Sequence, residues 1–499
     1  MSEIDGSLKT LAKGAGFVFF GMIFSKILTY LYRIIIARIG PEEYGLLSLG
    51  LAFLGFITLF SIFGMHSGIL RYASYYRATK EKDKLMGALL SVIIFVLPVS
   101  IFLSFLGFIF AENIAVSIFH NPALTGILKV LMFSAPFIVL SSIFLNVTNA
   151  FEKAEYDIIS RSFLENVLKV IGTFILVYLG FGIIGATYAY VIAVMCAFLL
   201  SVFFLRKVLK SYKFEFKTRG QLSPIFTYSW PLLLNGFLVF IYQWTDTFML
   251  GYFKDVAQVG IYNVALPTVN LIQMFPYGIT VLFIPIMTNF YVNGDKEKFN
   301  ELYFATTKWI LLVNSLILVW LLFLGKDILT YLFGVEYVGG YIPLIILSIG
   351  YFIFFISHNS YNLFLVYKKT KLLFFITFLA SILNIVLNLL LIPDYGLIGA
   401  AIATGISYMF IGILVSYQAY KFTGVFPFKK GFFPILLMAF VSGGIVFFIS
   451  RFVPSNLVSF IVSIIIIGLL YLLMLIIFKV FDKNDRIIID AIKRKIGFA

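Results

Sequence analysis

Charge is scarce in this chain: 12% of its 499 residues are Asp, Glu, Lys or Arg, against 61% apolar, where a soluble domain carries about 25% charged residues. So few polar side chains do not clothe globular domains of ordinary size, which excludes a water-soluble protein. The chain reads as integral to a membrane. Cysteine occurs once, at Cys196 inside an apolar run, which excludes a disulfide framework and a Cys-based metal site. The three histidines, His66, His120 and His358, are scattered and form no metal constellation. A Gly-x-x-x-x-Gly-Lys-[Ser/Thr] loop is missing, and no polar segment has room for a nucleotide-binding domain, so energy is expected from an ion gradient or from the substrate's own gradient. Acids are not gathered in a loop either: 111–122 and 326–340 hold only Glu112, Asp327 and Glu336. An intramembrane glycosyltransferase or polymerase is therefore the remote alternative, and no enzyme is expected.

What is present is a succession of apolar runs. Crossing ~30 Å of hydrocarbon takes about 20 apolar residues, and fourteen such stretches occur, near 12–37, 44–70, 85–110, 123–150, 157–179, 183–205, 223–250, 257–291, 302–325, 341–366, 371–391, 396–420, 431–450 and 456–479. They are continuous, without the alternation of membrane strands, so the expected fold is an all-α polytopic membrane protein with fourteen transmembrane helices. With the N-terminus in the cytoplasm, Lys9, Lys13, Arg71, Arg77, Lys80, Lys82, Lys84, the cluster Arg206 to Arg219, Lys368, Lys369, Lys371, Lys429, Lys430 and the basic tail fall on one side. Arg38, Lys254, Lys326 and Arg451 fall on the other. That bias places both termini in the cytoplasm of a cell membrane and assigns the +15 net charge to topology and anionic lipids, not to nucleic acid.

At an offset near 214 residues the chain resembles itself. Gly182-Ile-Ile-Gly-Ala186 recurs as Gly396-Leu-Ile-Gly-Ala400, Asn146-Val-Thr-Asn149 as Asn359-Ser-Tyr-Asn362, and Lys80-Glu-Lys-Asp-Lys-Leu85 as Asp295-Lys-Glu-Lys-Phe299. Shared spacing of polar landmarks points to a duplication of six helices. Six is even, so the copies enter the membrane from the same side, as parallel repeats. The expected organisation is an N-terminal lobe at 1–210, a cytoplasmic linker at 211–222, a C-terminal lobe at 223–421, two further helices at 430–480 and a basic cytoplasmic tail at 481–499. The eighth stretch carries Pro267, Pro276 and Pro285, and since each removes a backbone bond it is expected to bend.

The opening Lys-Gly-Ala-Gly16, Ala37-Arg-Ile-Gly-Pro-Glu-Glu-Tyr-Gly45, and Asn362 through Leu391-Ile-Pro-Asp-Tyr-Gly-Leu-Ile-Gly-Ala-Ala401 resemble the polysaccharide-transporter branch, the Wzx-type flippases, of the multidrug/oligosaccharidyl-lipid/polysaccharide exporter superfamily. The likeness covers nearly the whole chain. It implies a flippase that carries a polyprenyl-(pyro)phosphate-linked oligosaccharide or polysaccharide precursor from the inner to the outer leaflet by alternating access. The implied partners are the lipid-linked sugar, membrane lipids, and the glycosyltransferases and glycan polymerase of the same pathway, with the chain as a monomer. An ion-coupled drug or metabolite exporter of the same superfamily is the runner-up.

Charges within membrane stretches cost on the order of 2.5–3.5 kcal/mol each at the centre, so they are the site candidates. Lys26 and Arg33 lie seven residues apart, on one helical face, and with Arg71 make a cationic ladder suited to phosphate oxygens. Snorkelling, or pairing with a carboxylate, is the plainer account of each. A cationic cavity favours an anionic cargo over a cationic drug. Asp246 falls, under the duplication, at the depth of Arg33, as a gate partner or an ion-coupling carboxylate. A loop-capping Asp would look the same. Glu165 and Lys169 are spaced for an intrahelical ion pair, with binding of a coupling H+ or Na+ at Glu165 as the alternative. No metal or other cofactor is expected. The paired asparagines in both halves are read as interhelical hydrogen-bonders.

Overall fold

The computed structural model describes residues 21, 23–210, 222–428, 432–453 and 456–481, without the side chains of 281 and 282. The opening Lys-Gly-Ala-Gly16, Lys9, Lys13, the linker at 211–221, Lys429, Lys430 and the tail beyond Phe481 lie outside the described residues. Among the described residues there is no strand, as continuous apolar runs in lipid require: a helix satisfies its own backbone there. The chain is a multi-pass membrane protein. Among the described residues ten helices are long and apolar enough to cross a bilayer, eleven if a bent pair counts as one span.

The chain forms two compact units, Met1–Asn263 and Val264–Ala499. They part inside the eighth apolar stretch, well beyond the lobe boundary expected at residue 210. The helices that follow that boundary, α9 (Leu222–Phe253) and the start of α10 (Val256–Val269), belong to the first unit because α9 packs on α2 (Pro41–Ile62) and α3 (Met65–Ala78). Small residues let the backbones approach. A Cβ on Gly64 would stand 2.5 Å from the Ser229 carbonyl oxygen, and one on Gly68 would overlap the Ser229 hydroxyl. Where apolar burial gives no net drive, such close contact is what holds helices together.

The first unit also contains α1 (23–37), α4 (Lys82–Ile109), α5 (Leu124–Met132), α6 (Ala135–Ala150), α7 (Asn166–Tyr178) and α8 (Gly182–Val208). Its core follows the helical repeat: Met65, Ile69 and Ala73 on α3 meet Leu85, Leu89, Val92 and Val96 on α4 and Val139, Ile143 and Val147 on α6. Some buried hydroxyls are satisfied within their own helices: Ser48 donates to the Tyr44 carbonyl (2.8 Å) and Ser61 to that of Ile57 (2.7 Å). A π-helical turn, Ile158–Glu165, precedes α7.

In the second unit α10 passes through a 3-10 turn, Asn270–Gln273, into α11 (Met274–Asn293). The expected bend is present: Val256–Thr280 and Phe283–Asn293 meet at 44°. Proline explains its place, because Pro285 lacks the N–H that would bond the carbonyl of residue 281. Next come α12 (Lys296–Phe323), α13 (Tyr341–Ile356), α14 (His358–Val366), α15 (Thr370–Thr423), α16 (Phe433–Ser450) and α17 (Leu457–Ile477). Gly350 and Gly405 bring α13 and α15 into backbone contact. Helix α15 is 54 residues long but leaves helical geometry at Gly396 (φ 54°, ψ −130°), the residue at which the sequence opens a new helix. Helices α16 and α17 pack on each other and on α12. Asn456 starts α17 by accepting the Ser459 N–H at 2.8 Å.

Candidate functional site

The first unit carries a polar seam where α1, α2, α9 and α10 converge, and a proline creates it. Pro267 has no N–H to give the Asn263 carbonyl, the acceptor four residues earlier. That freed oxygen is taken by two side chains from elsewhere in the chain: the Tyr44 hydroxyl donates to it at 3.1 Å and the Arg33 guanidinium at 3.4 Å. Arg33 also donates to Tyr44 Oη at 3.0 Å. One carbonyl thus binds α1 and α2 to α10, with a charge-assisted bond among the contacts.

A second tie joins α10 to α9. Asp246, 3% exposed, accepts a hydrogen bond from the fully buried Tyr262. One residue on along each helix, Asn263 Nδ2 donates to Thr247 Oγ1 at 3.0 Å. Arg33 reaches Asn263 while Asp246 reaches Tyr262, so consecutive residues of α10 receive the two groups that the sequence places at one depth. Beside the seam the backbones touch: a Cβ on Gly45 would overlap the Val256 carbonyl oxygen, and one on Gly260 that of Pro41. Sequence reasoning missed Tyr44, Tyr262 and Asn263 as members of this site. The signal was available in the i, i+4 relation of Asn263 to Pro267.

The remaining candidates lie apart. Lys26 is exposed on α1, in the electrostatic field of Arg33 two turns along the same face. Arg71 is exposed on α3 with its guanidinium 4.4 Å from the centre of the Tyr228 ring on α9, a cation–π contact. Glu165 and Lys169 form the ion pair their spacing predicts, at 2.6 Å, with Lys169 also 4.4 Å from the centre of the Tyr190 ring. Both side chains are mostly buried, so losing one partner strands a charge. Lys169→Ala is accordingly expected to lower the unfolding temperature in detergent more than the double variant Glu165→Ala/Lys169→Ala; equal or reversed losses would assign the pair no electrostatic role.

The asparagines differ between the halves. Asn359 donates to Thr306 and Thr307 at 2.9 and 3.2 Å and Asn362 to Thr280 at 2.9 Å, all across helices. Asn146 instead donates to the Ser142 carbonyl of its own helix, and Asn149 Oδ1 is buried without a partner. Repeat-wide interhelical bonding is therefore corrected to one half. The second pair has hydroxyls within reach, those of Thr306, Thr307 and Thr280.

Fold and seam define an all-helical, multi-pass membrane protein whose first unit is tied together by buried polar bonds. The chain belongs to the polysaccharide biosynthesis protein family, whose model matches residues 11–291, which bears out the resemblance read from its residues. The MatE family model matches residues 231–390. An uncharacterized membrane protein of Methanocaldococcus jannaschii, MJ1068, is 24% identical over 92% of this chain and 95% of its own length. The probable flippase AglR of Haloferax volcanii is 28% identical over 49% of this chain and 50% of its own. Among solved structures, the lipid II flippase MurJ in its inward closed conformation superposes with a TM-score of 0.75 at 22% identity, covering 93% of this chain and 98% of that one. That likeness concerns the fold.

Proposed function

We propose that this protein is a flippase, not an enzyme, that carries a polyprenyl-(pyro)phosphate-linked oligosaccharide or polysaccharide precursor from the cytoplasmic to the outer leaflet of the cell membrane by alternating access. The observation that carries the reading is the cationic stripe of α1, Lys26 and Arg33, the latter bonded into the seam. Ammonium and guanidinium groups on one face suit the oxygens of a phosphorylated headgroup, while the hydrocarbon anchor stays in lipid. Arg71 extends the stripe toward the cytoplasm. The family membership and the flippase relative support the same cargo class.

The reading includes fourteen membrane-crossing helices arranged as two parallel repeats of six plus two. Stretches of 55 and 54 residues, Ala154–Val208 and Thr370–Thr423, are each about 80 Å long at 1.5 Å per residue, enough to cross twice. Their interruptions correspond, for Gly182 has φ 52° and Gly396 φ 54°. Other left-handed residues also recur 214 positions apart, Lys80 (61°) with Gly294 (73°) and His120 (52°) with Gly334 (137°). So do two 28-residue helices, Lys82–Ile109 and Lys296–Phe323. Backbone joints at matching positions support a shared origin of the halves.

Reconstituted into vesicles, the protein is expected to equilibrate a fluorescent polyprenyl diphosphate disaccharide between leaflets, and Lys26→Ala and Arg33→Ala to slow this by tenfold or more with insertion unchanged, the loss of one charge-assisted bond being about 1.5–3 kcal/mol. Normal rates in both variants reject the reading. The MatE match favours a second reading, a drug or metabolite exporter; transport of a cationic dye that ignores both substitutions would establish it. Asp246 serves as gate or coupling residue in the flippase reading, and an Arg33→Asp/Asp246→Arg exchange recovers transport lost in each single variant if the two act as one closure.

A further inference from the structure

His358 opens α14, directly after the helix break at Ser357, and is 4% exposed. Its Nε2 lies 2.9 Å from the Thr280 hydroxyl on α11. That hydroxyl donates to the Pro276 carbonyl at 3.0 Å and accepts Asn362 Nδ2 at 2.9 Å. With the threonine proton committed to Pro276, Nε2 carries the hydrogen of the imidazole, and Nδ1 is left with a lone pair. Nδ1 is buried and has no partner. Thr280 is also the last residue before the 44° bend, so this one contact fastens α14 to the point at which the proline-rich helix turns.

The surroundings are aromatic. Tyr277 on α11 meets the imidazole edge-on with ring centres 5.2 Å apart, Tyr361 on α14 lies parallel at 6.1 Å, and Phe355 on α13 is at 5.7 Å. The titratable side chains in ring contact with the imidazole are Tyr277 on α11 and Tyr361 on α14; the packed helices also carry Tyr351 on α13, Tyr408 and Asp394 on α15, and Tyr303, Lys308, Glu297 and Glu301 on α12. Tyr303 is bonded to Ser360, while Tyr351 and Tyr408 pack on each other. Among the described residues, the rings in contact with the imidazole are Tyr277, Tyr361, Phe354 and Phe355, and none of these side chains carries a charge at neutral pH.

We propose that His358 is a proton-binding site, and that its proton is the ion coupled to transport; the second half of this statement rests on the flippase reading. A proton from water adds to the Nδ1 lone pair while the Nε2–H stays on Thr280, and the neutral ring becomes an imidazolium with no other bond made or broken. The ring face of Tyr361, stacked on the imidazole, accommodates the cation. The new Nδ1–H, however, is a buried charged donor without an acceptor, and it sits at the head of a helix, where a positive charge opposes the macrodipole. Water admitted between α14 and α11 relieves both penalties. The protonated state therefore loosens α11 at its bend, and the neutral state restores the clasp.

The first test needs no cargo. In micelles of the full chain labelled with 15N-histidine, the imidazole signal that vanishes in His358→Gln is expected to titrate reversibly at Nδ1 while helicity is kept. After correction for intrinsic chemistry, amide exchange in 274–293 is expected to quicken as pH falls, approaching about tenfold per pH unit, the limit for one proton. His358→Gln removes that pH dependence, and Thr280→Val gives fast exchange throughout. A His358 signal unchanged until the helices are lost, or the same exchange profile in His358→Gln, overturns the site. In vesicles carrying the fluorescent polyprenyl diphosphate disaccharide, a pH step is expected to change the flipping rate of the wild type and not that of His358→Gln. Flipping that ignores the pH step overturns the coupling alone. No flipping by the wild type, with the titration intact, overturns the flippase reading and leaves the proton site standing.

Discussion

Leucine at Gly260 abolishes transport of the lipid-linked sugar while leaving the protein inserted: that is the expected result, and it follows from two backbones in contact. The Gly260 Cα faces the Pro41 carbonyl, and Gly45 faces that of Val256, so neither position has room for a single methyl group. A rotamer change cannot relieve overlap with a main-chain oxygen; the helices must separate. Overpacking of this kind costs about 1–3 kcal/mol or more, which lowers the population of the closed α2–α10 crossing by roughly one to two orders of magnitude. Gly45→Ala, a smaller intrusion on the same crossing, produces a partial loss. The check is leaflet exchange of the fluorescent substrate, with labelling of Tyr44→Cys by an impermeant maleimide in a Cys196→Ser background as the readout of opening. Wild-type exchange and unchanged labelling in Gly260→Leu would show that the crossing takes no part in the cycle.

Pro267→Ala is expected to loosen the seam although it touches neither Arg33 nor Tyr44. Alanine returns an N–H to the Asn263 carbonyl and removes a residue that costs a helix interior about 3 kcal/mol, so the helix itself is more stable. The same N–H competes for the oxygen that Arg33 and Tyr44 now hold at 3.4 and 3.1 Å. Losing a bond from a charged donor is worth about 1.5–3 kcal/mol. Amide exchange at the start of α2, residues 41–48, should therefore quicken about tenfold or more in Pro267→Ala, equally in Arg33→Met, and no further in the double variant, because both remove one shared contact. Fully additive effects would mean that the proline and the arginine act separately.

Much of the fold is legible before any coordinates, because membrane helices are dictated by solvent: a continuous apolar run must bond its own backbone. The break at Gly396 and the bend in the proline-rich helix fall where glycine and proline put them. The ion pair of Glu165 and Lys169 is equally plain, being a matter of four residues on one helix. The seam is another matter. Arg33 and Asn263 are 230 positions apart, and no local spacing brings them together; sequence placed Arg33 and Asp246 at one depth without saying which side chains stood beside them. The compact units, which part at residue 263, follow packing, which the spacing of apolar runs does not report. The asparagines show how identical residues acquire different partners: Asn359 finds two threonine hydroxyls on a neighbouring helix, while Asn146 turns to a carbonyl of its own.

That last contrast reaches beyond bookkeeping of bonds. Where α3, α4 and α6 meet, Ile69, Leu89 and Ile143 belong to one apolar core, whose dispersion contacts carry no direction. Across α12 and α14, Tyr303 meets Ser360 and Thr306 meets Asn359 through hydrogen bonds. The first contact is thus held by shape alone and the second by direction as well, because a hydrogen bond fixes the orientation of its partners.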